Sequence, residues 1–440
     1  MKTSLQWQKK LLGVLLSLSG VTVAAGPVVA PIVDPIDLPA TALVLQAIAK
    51  LPMVRAATSM LTAQGAEQER LEAGPHEWAL RVDAQRRRVR SPESAMQESA
   101  ATATGDQRYK EWVLGLERPL RLPAKASADS ALGRQGVNQA EIALDDARHE
   151  SSRLLLRLWF NWLREQETVS QWQAQAELLS QQRLAVNQRV TLGDASRLES
   201  AQAEAAVAQA EAELARASAR REAARIELAR RFPSLPLPAR VTLSAPRPLA
   251  GSLASWRQRL FAQQHELRLA RADSQRMRLL AARADAERLP DPSVGVRLSN
   301  EFAGGEKVLG LSLAIPLPGG HRAAAARAQS AYAAAAAERE AEVLTKVEVE
   351  IDSQYANALA AWSSWQRAEA AGQLMTQAGQ MVLRSHALGE AGLAEVLLAR
   401  RQAHEAQLSA RLAQLEALES HYRLELDAHQ LWADEDEEGQ

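Results

Sequence analysis

The sequence predicts a mainly helical protein with a small β part, in which a helix-strand-strand-helix-helix unit occurs twice. Two landmarks and the composition predict it. Long helical patterns end at the similar tetrapeptides Leu192-Gly193-Asp194-Ala195 and Leu388-Gly389-Glu390-Ala391. Val113-Leu114-Gly115-Leu116 returns as Val308-Leu309-Gly310-Leu311 at nearly the same offset. Of 440 residues only 4% are aromatic, with 22 Gly and 18 Pro, so turns are few. Ala, Leu, Arg, Glu and Gln, all strong helix formers, fill the centre of the chain. With 52 basic and 53 acidic residues the formal charge is -1, which gives no reason to expect a nucleic-acid partner. The absence of Cys excludes disulfides, thiolate metal sites, a Cys nucleophile and a lipidated Cys.

In chain order, Lys2, Lys9 and Lys10 precede an apolar run from Leu11 to Val23 and the small residues Ala24-Ala25. Residues 1–25 are expected to be a secretory signal peptide cut after Ala25, because the run is shorter than the roughly 20 apolar residues of a spanning helix. Residues 26–37 form an extended N-terminal segment. Repeat one is expected at 38–232, with strands near 76–84 and 111–122 carrying Trp78, Leu80, Val82, Trp112, Leu114 and Leu116, and a helical-hairpin tip near 193. The segment between its strands contains Arg86-Arg87-Arg88-Val89-Arg90, read as a loop that either touches anionic lipid or is simply solvated. Residues 233–251, rich in Pro, read as a linker. Repeat two is expected at 252–432, opening with one helical pattern over 252–288. Strict alternation of Val294, Val296, Leu298 and of Leu309, Leu311, Leu313, Ile315 then predicts strands near 292–300 and 307–316, and a second tip follows near 389. Residues 433–440 are an acidic tail.

The helices before the tips run from about Pro123 to Gly193 and from Pro318 to Gly389; a run of about 60 residues reaches about 90 Å. Heptad seams follow each tip: Leu198, Ala205, Ala212, Ala219 and Ile226 beside Ala201, Ala208, Ala215 and Ala229, then Val396, Ala403, Ala410, Ala417 and Leu424 beside Ala399, Ala406 and Ala413. Small seam residues suit a broad layer of closely spaced helices.

Two hairpins give four strands with one aliphatic face. Four strands cannot close a barrel, which needs about eight or more, so closure requires several copies, and three copies supply twelve strands. An exported chain with an outward apolar strand face and a long helical extension is expected to be an outer-membrane channel reaching into the periplasm.

Leu289-Pro290-Asp291-Pro292-Ser293-Val294-Gly295-Val296, followed by Leu311-Ser312-Leu313-Ala314-Ile315-Pro316-Leu317-Pro318-Gly319-Gly320-His321-Arg322, resembles the strand-hairpin signature of TolC-type outer-membrane efflux proteins. The likeness is to the branch serving heavy-metal pumps of the resistance-nodulation-division class, and it covers essentially the whole mature chain. It implies a homotrimer with a twelve-stranded barrel in outer-membrane lipid and a twelve-helix periplasmic tunnel. It further implies a passive duct, neither enzyme nor cofactor protein, docked to a periplasmic adaptor protein and through it to an inner-membrane transporter. Metal cations are the expected cargo; drug export, type I protein secretion and a periplasmic coiled-coil scaffold are the alternatives.

The resemblance makes Leu192, Gly193, Asp194, Leu388, Gly389 and Glu390 the adaptor-docking tips. Gly suits the left-handed end of a helix, and Asp194 and Glu390 are expected near the positive start of the next one. Glu199 and Glu395, each six residues past its Gly, either line the periplasmic entrance or are solvated helix charges. A second family acid is replaced by Gln202 and Leu398. His76, His149, His265, His321, His386, His404, His421 and His429 lack ligand spacing and read as surface histidines, with no metal site. Trp159 with Trp162, and Trp362 with Trp365, read as packing wedges. No catalytic motif stands out.

Overall fold

A computed structural model describes residues 35–89 and 107–432 of the chain. The expected leader at 1–25, residues 26–34, Arg90 and the acidic tail at 433–440 lie outside the described residues. The first half comprises α1 (Thr41–Ala49), α2 (Pro52–Ala73), β1 (Ala79–Val89), β2 (Gln107–Pro119), α3 (Pro123–Thr191) and α4 (Arg197–Arg231). The same series returns as α5 (Leu253–Ala262), α6 (His265–Ala286), β3 (Ser293–Glu301), β4 (Glu306–Ala314), α7 (Gly320–Ala387) and α8 (Leu393–Asp427).

Local chemistry sets these limits. Proline opens α2 and α3, where its missing N–H has no intrahelical partner to lose. The single leading helix expected over 252–288 is two helices: Gln264 adopts an extended ψ of 99° and breaks the run ahead of His265. Leu51, extended before Pro52, divides the corresponding part of the first half. At 69 residues α3 is about 100 Å long, and α7, at 68 residues, matches it.

The strands form one antiparallel sheet in the order β1-β2-β3-β4. The central pairing, Leu116 with Val296 and Leu114 with Leu298, joins the two halves. Arg86, Arg87 and Arg88 are not in a loop: they extend β1, opposite Lys110, Tyr109 and Arg108. Charges hide the strand pattern there, yet an exposed ribbon tolerates them because they remain in water.

The helices lie four abreast. Toward the sheet, α3 packs between α2 and α6, and α6 against α7; toward the tips, α3 packs between α4 and α8, and α8 against α7. Gly372 and Gly379, one heptad apart on α7, let α8 approach so closely that an added Cβ would lie 3.4 Å from the Ala406 carbonyl oxygen and 3.6 Å from that of Ala399. The largest apolar cluster lies midway, where Leu155, Trp159, Phe160 and Leu163 of α3 meet Leu228, Leu415, Leu418 and Leu426. Segment 233–251 contributes Leu235 to it. Asp37, fully buried, ties this core to the incoming chain: its carboxylate accepts hydrogen bonds from Tyr422 Oη and Ser244 Oγ, each at 2.6 Å, and its carbonyl accepts from Trp159 Nε1 at 2.9 Å. Burial and the neighbouring Asp37 carboxylate push the Tyr422 phenol up, so it stays a donor.

Between sheet and helices lies a knot of charges. Lys125, fully buried on α3, places Nζ 3.0 Å from Asp291 Oδ1 and 3.2 Å from Glu287 Oε1. Asp291 also accepts from Leu122 N at 3.1 Å and meets His76 Nε2 at 2.8 Å. Arg283 bridges Glu287 and Asp129, Arg322 reaches Glu287, and Arg121 caps the end of α2 by donating to the Leu71 and Glu72 carbonyls at 2.6 and 2.7 Å. Burial pushes the Asp291 and Glu287 carboxyls up. Hydrogen bonds from His76, Lys125 and Leu122 to Asp291, and from Arg283, Lys125 and Arg322 to Glu287, outweigh it and hold both below their ordinary values.

Carboxyls with a lowered folded pKa stabilise fully above their unfolded values, 3.8 for Asp291 and 4.5 for Glu287, and lose that contribution as pH falls through the folded values. Denaturant midpoints of the wild type are therefore expected to fall between about pH 5 and pH 3, and Asp291→Asn to flatten that slope. Lys125→Met, which removes one cationic partner from each of two carboxylates, is expected to cost about 1–3 kcal/mol at pH 7. Equal slopes in wild type and Asp291→Asn would remove Asp291 from this role.

Candidate functional site

The sheet has two unlike faces because side chains alternate along each strand. Leu80, Leu116, Val296 and Leu311 stand in one cross-strand row, and Val82, Leu114, Leu298 and Leu309 in the next. All eight are exposed, Leu311 at 86%. The opposite face carries Arg81, Gly115, Arg297 and Gly310 in one row and Glu117, Gly295 and Ser312 in another. Along Leu309, Leu311, Leu313 and Ile315 the exposed apolar band spans about 20 Å, and Arg86, Lys110 and Lys307 stand beyond it on the same face. Trp78 and Trp112 are exposed near its two ends, Trp78 beneath the Arg118 guanidinium at 5.5 Å. No described helix is long and apolar enough to cross a membrane.

The helical layer also has unfinished flanks. On α8 the expected seam holds, with Val396, Ala410, Ala417 and Leu424 buried. On α4 the buried seam is instead Ala203, Ala210, Ala217 and Ala224, with Val207 and Leu228. The expected stripe of Leu198, Ala205, Ala212, Ala219 and Ile226 is exposed. Ala occupies two seams of α4, and spacing alone does not tell which faces the same chain. The far flank of the layer, on α7, exposes Tyr332, Val349, Leu374, Met375 and Met381.

Both tips have one geometry. Gly193 and Gly389 each have φ of 80°, in the left-handed region that glycine reaches without strain. The amides of Asp194 and Glu390 donate to the Arg189 and Ser385 carbonyls at 2.8 and 2.9 Å, which closes the preceding helix. The acids are not directed to the following helix start. Asp194 Oδ2 pairs with Arg189 Nε at 3.0 Å and Glu390 Oε2 accepts from Ser385 Oγ at 3.3 Å, because the left-handed residue folds the chain back over the last turn. Leu192 and Leu388 project outward, 83% and 76% exposed.

Glu199 and Glu395 occupy equivalent places in the first turns of α4 and α8. Glu199 is half-buried in a capping box: its carboxylate accepts from Ser196 N at 2.8 Å while Ser196 Oγ accepts from Glu199 N at 3.2 Å. Glu395 is exposed, and Gly392 offers α8 no side-chain cap. The hairpins meet through Leu393, packed on Val186 and Ala203.

The histidines are not uniformly superficial. His149, His265 and His404 are buried or nearly so, His404 against Trp172, and burial holds the His149 and His404 imidazoles below the ordinary range. His149, His265 and His429 converge, which linear spacing could not reveal because they belong to three separate elements. Trp159 and Trp162 are buried in the central cluster as wedges, and Trp362 and Trp365 are half-buried on α7.

No protein-family model matches the chain, and no curated protein sequence matches it. Solved structures do. The outer membrane protein VceC of Vibrio cholerae superposes with a TM-score of 0.70 at 18% identity, over 88% of this chain and 94% of VceC. The CmeC outer membrane channel of Campylobacter jejuni gives 0.66 at 14% identity, over 89% and 84%. CusC, described in terms of transmembrane channel formation, gives 0.64 at 16% identity, over 88% and 91%. Long paired helices, repeated halves and a small two-faced sheet thus occur together in the same arrangement: the chain has the fold of the TolC-type outer-membrane channels.

Proposed function

We propose that the protein is the outer-membrane channel of a tripartite efflux system. Three copies close their sheets into a twelve-stranded barrel in the outer membrane and align their helices as a periplasmic tunnel. The two-faced sheet with open edges at β1 and β4 carries this reading. An apolar band about 20 Å tall suits the outward face of a membrane barrel, whose apolar belt is about 25 Å, and the Arg- and Gly-bearing face suits a wet lumen. The exposed Ala stripe of α4 and the exposed flank of α7 supply the helical contact between neighbouring copies.

The duct does no chemistry; the energy comes from an inner-membrane transporter of the resistance-nodulation-division class. A periplasmic adaptor docks on the tips through Leu192, Gly193, Asp194, Leu388, Gly389 and Glu390, where two leucines projecting into water are contact surface awaiting a partner. Glu199 and Glu395 stand one turn inside and contribute negative charge to the entrance. Metal cations as cargo rest on the resemblance of residues 289–296 and 311–322 to the metal-pump branch.

Leu311→Arg on the apolar face is expected to cost about 2–4 kcal/mol of barrel stability and to reduce heat-modifiable trimer in the outer-membrane fraction, whereas Ser312→Arg on the other face is tolerated. Equal effects would defeat the membrane reading. The double variant Leu192→Asp, Leu388→Asp is expected to leave trimer yield intact while abolishing adaptor cross-linking and sensitising cells to metals. Sensitivity to organic drugs with unchanged metal tolerance would reassign the cargo, and normal cross-linking would overturn the docking assignment.

A further inference from the structure

Three histidines far apart in sequence meet where both halves of the chain converge. His149 lies on α3, His265 opens α6, and His429 follows the C-terminal end of α8. Their rings form a nearly equilateral triangle: centroids are 5.2 Å apart for His149 and His265, 5.1 Å for His149 and His429, and 5.0 Å for His265 and His429. Nε2 of His265 lies 3.1 Å from Nε2 of His429. One ring nitrogen from each residue falls within 4.8 Å of those of the other two. Three imidazoles on one tetrahedral ion, with bonds of about 2.0–2.1 Å, would hold their ligand nitrogens about 3.3 Å apart and their centroids about 5.2 Å apart. The triangle of centroids already has that size, and the facing Nε2 atoms of His265 and His429 are already at ligand spacing.

The backbone and the surroundings point the same way. His429 has φ of 55°, and its N–H donates to the Leu426 carbonyl at 3.0 Å while Gln430 N donates to Glu425 at 2.8 Å. This is the left-handed position that ends a helix, where glycine is the usual residue and an imidazole contributes nothing to the cap. Behind His149, Asp427 Oδ1 lies 3.2 Å from Nε2 and is itself anchored by Arg153 Nε at 2.7 Å, while Oδ2 accepts from Arg423 Nε at 2.9 Å. A carboxylate in that place orients the ring and leaves Nδ1 as the ligating nitrogen. A cleft of about 250 Å³ reaches His149 and His265 and carries Asp146, Glu150 and Glu266. Its two cations are already engaged, Arg153 with Glu150 and Asp427, and Lys346 with Glu266.

We propose that His149, His265 and His429 hold one transition-metal dication of the zinc class, with Asp427 as a positioning residue behind His149 and water from the cleft in the fourth place. Imidazole is the natural ligand for such ions, whereas calcium and magnesium require oxygen. On binding, the ring that carries its hydrogen on Nε2 takes the Nδ1–H tautomer, so that both facing Nε2 atoms offer a lone pair to the metal with no net loss of a proton. The ion is a resident staple between α3 of the first half and α6 and α8 of the second, separate from any cargo and independent of the channel reading.

The test uses untagged full-length protein in detergent, stripped with chelator and titrated with Co²⁺, whose visible absorption reports tetrahedral coordination. One Co²⁺ per protomer is expected, displaced stoichiometrically by Zn²⁺ and not by Mg²⁺. His429→Gly supplies the residue that the left-handed position prefers, so the chain folds and the saturable signal is lost; His265→Gln loses it as well. Asp427→Asn is expected to weaken binding at least about tenfold. No saturable signal, a signal unchanged in His429→Gly, or one removed instead by His421→Gln or His386→Gln would overturn the assignment.

Discussion

Backbone hydrogen bonding at the two open strand edges governs this structure. β1 and β4 each present one row of amide and carbonyl groups to no other strand of the sheet, on an element whose outward face is aliphatic. In water the apolar face is the liability, and in hydrocarbon the edges are, since each unsatisfied group there costs several kcal/mol. Closure with further copies satisfies both conditions together. The helical layer has the same incompleteness in milder form, for α4 exposes small and aliphatic residues at heptad spacing and the far flank of α7 exposes further apolar side chains. In the proposed assembly a single copy is thus a segment of a wall.

The charge knot explains how so thin a sheet can be aimed by helices about 100 Å long. Strands and helices meet where chain direction must change, which leaves helix ends and proline-flanked turns with unpaired polar groups. Lys125 and Asp291 gather those groups at one point, with Leu122 N–H and the Leu71 and Glu72 carbonyls among the satisfied partners. Such a buried cluster contributes modest net stability, because desolvation offsets much of the attraction. Its value is orientation: any other angle between sheet and helices would strand several charges at once.

The helical bulk and small antiparallel sheet were legible in the sequence, because Val294, Val296 and Leu298 alternate without interruption and the helix formers run unbroken to each tip glycine. The same periodicity misled on α4, where Ala at two heptad positions satisfies either seam and only the placement of α3 decides between them. Arg86 to Arg88 read as a loop because charge obscures a strand that needs no buried face. Asp291 was visible within a Pro-Asp-Pro motif, but nothing local announces that its partners come from α3 and from before β1. The histidine triangle is the extreme case: it exists only after residues 149, 265 and 429 are folded together.

The pairing of β2 with β3 joins the two halves of one chain. Because each half has the same element series, that internal junction is a template for the external one proposed above: β4 beside the β1 of a neighbour would repeat it, as α7 beside a neighbouring α4 would repeat α3 beside α8. In the trimer proposed above, a ring of three chains would be a ring of six near-equivalent units, with covalent and non-covalent seams alternating. Duplication within one chain frees the two kinds of seam to diverge. His149 and His265 lie across the covalent seam, so in the proposed trimer a feature placed there would appear three times around the ring and leave the intervening seams free for assembly.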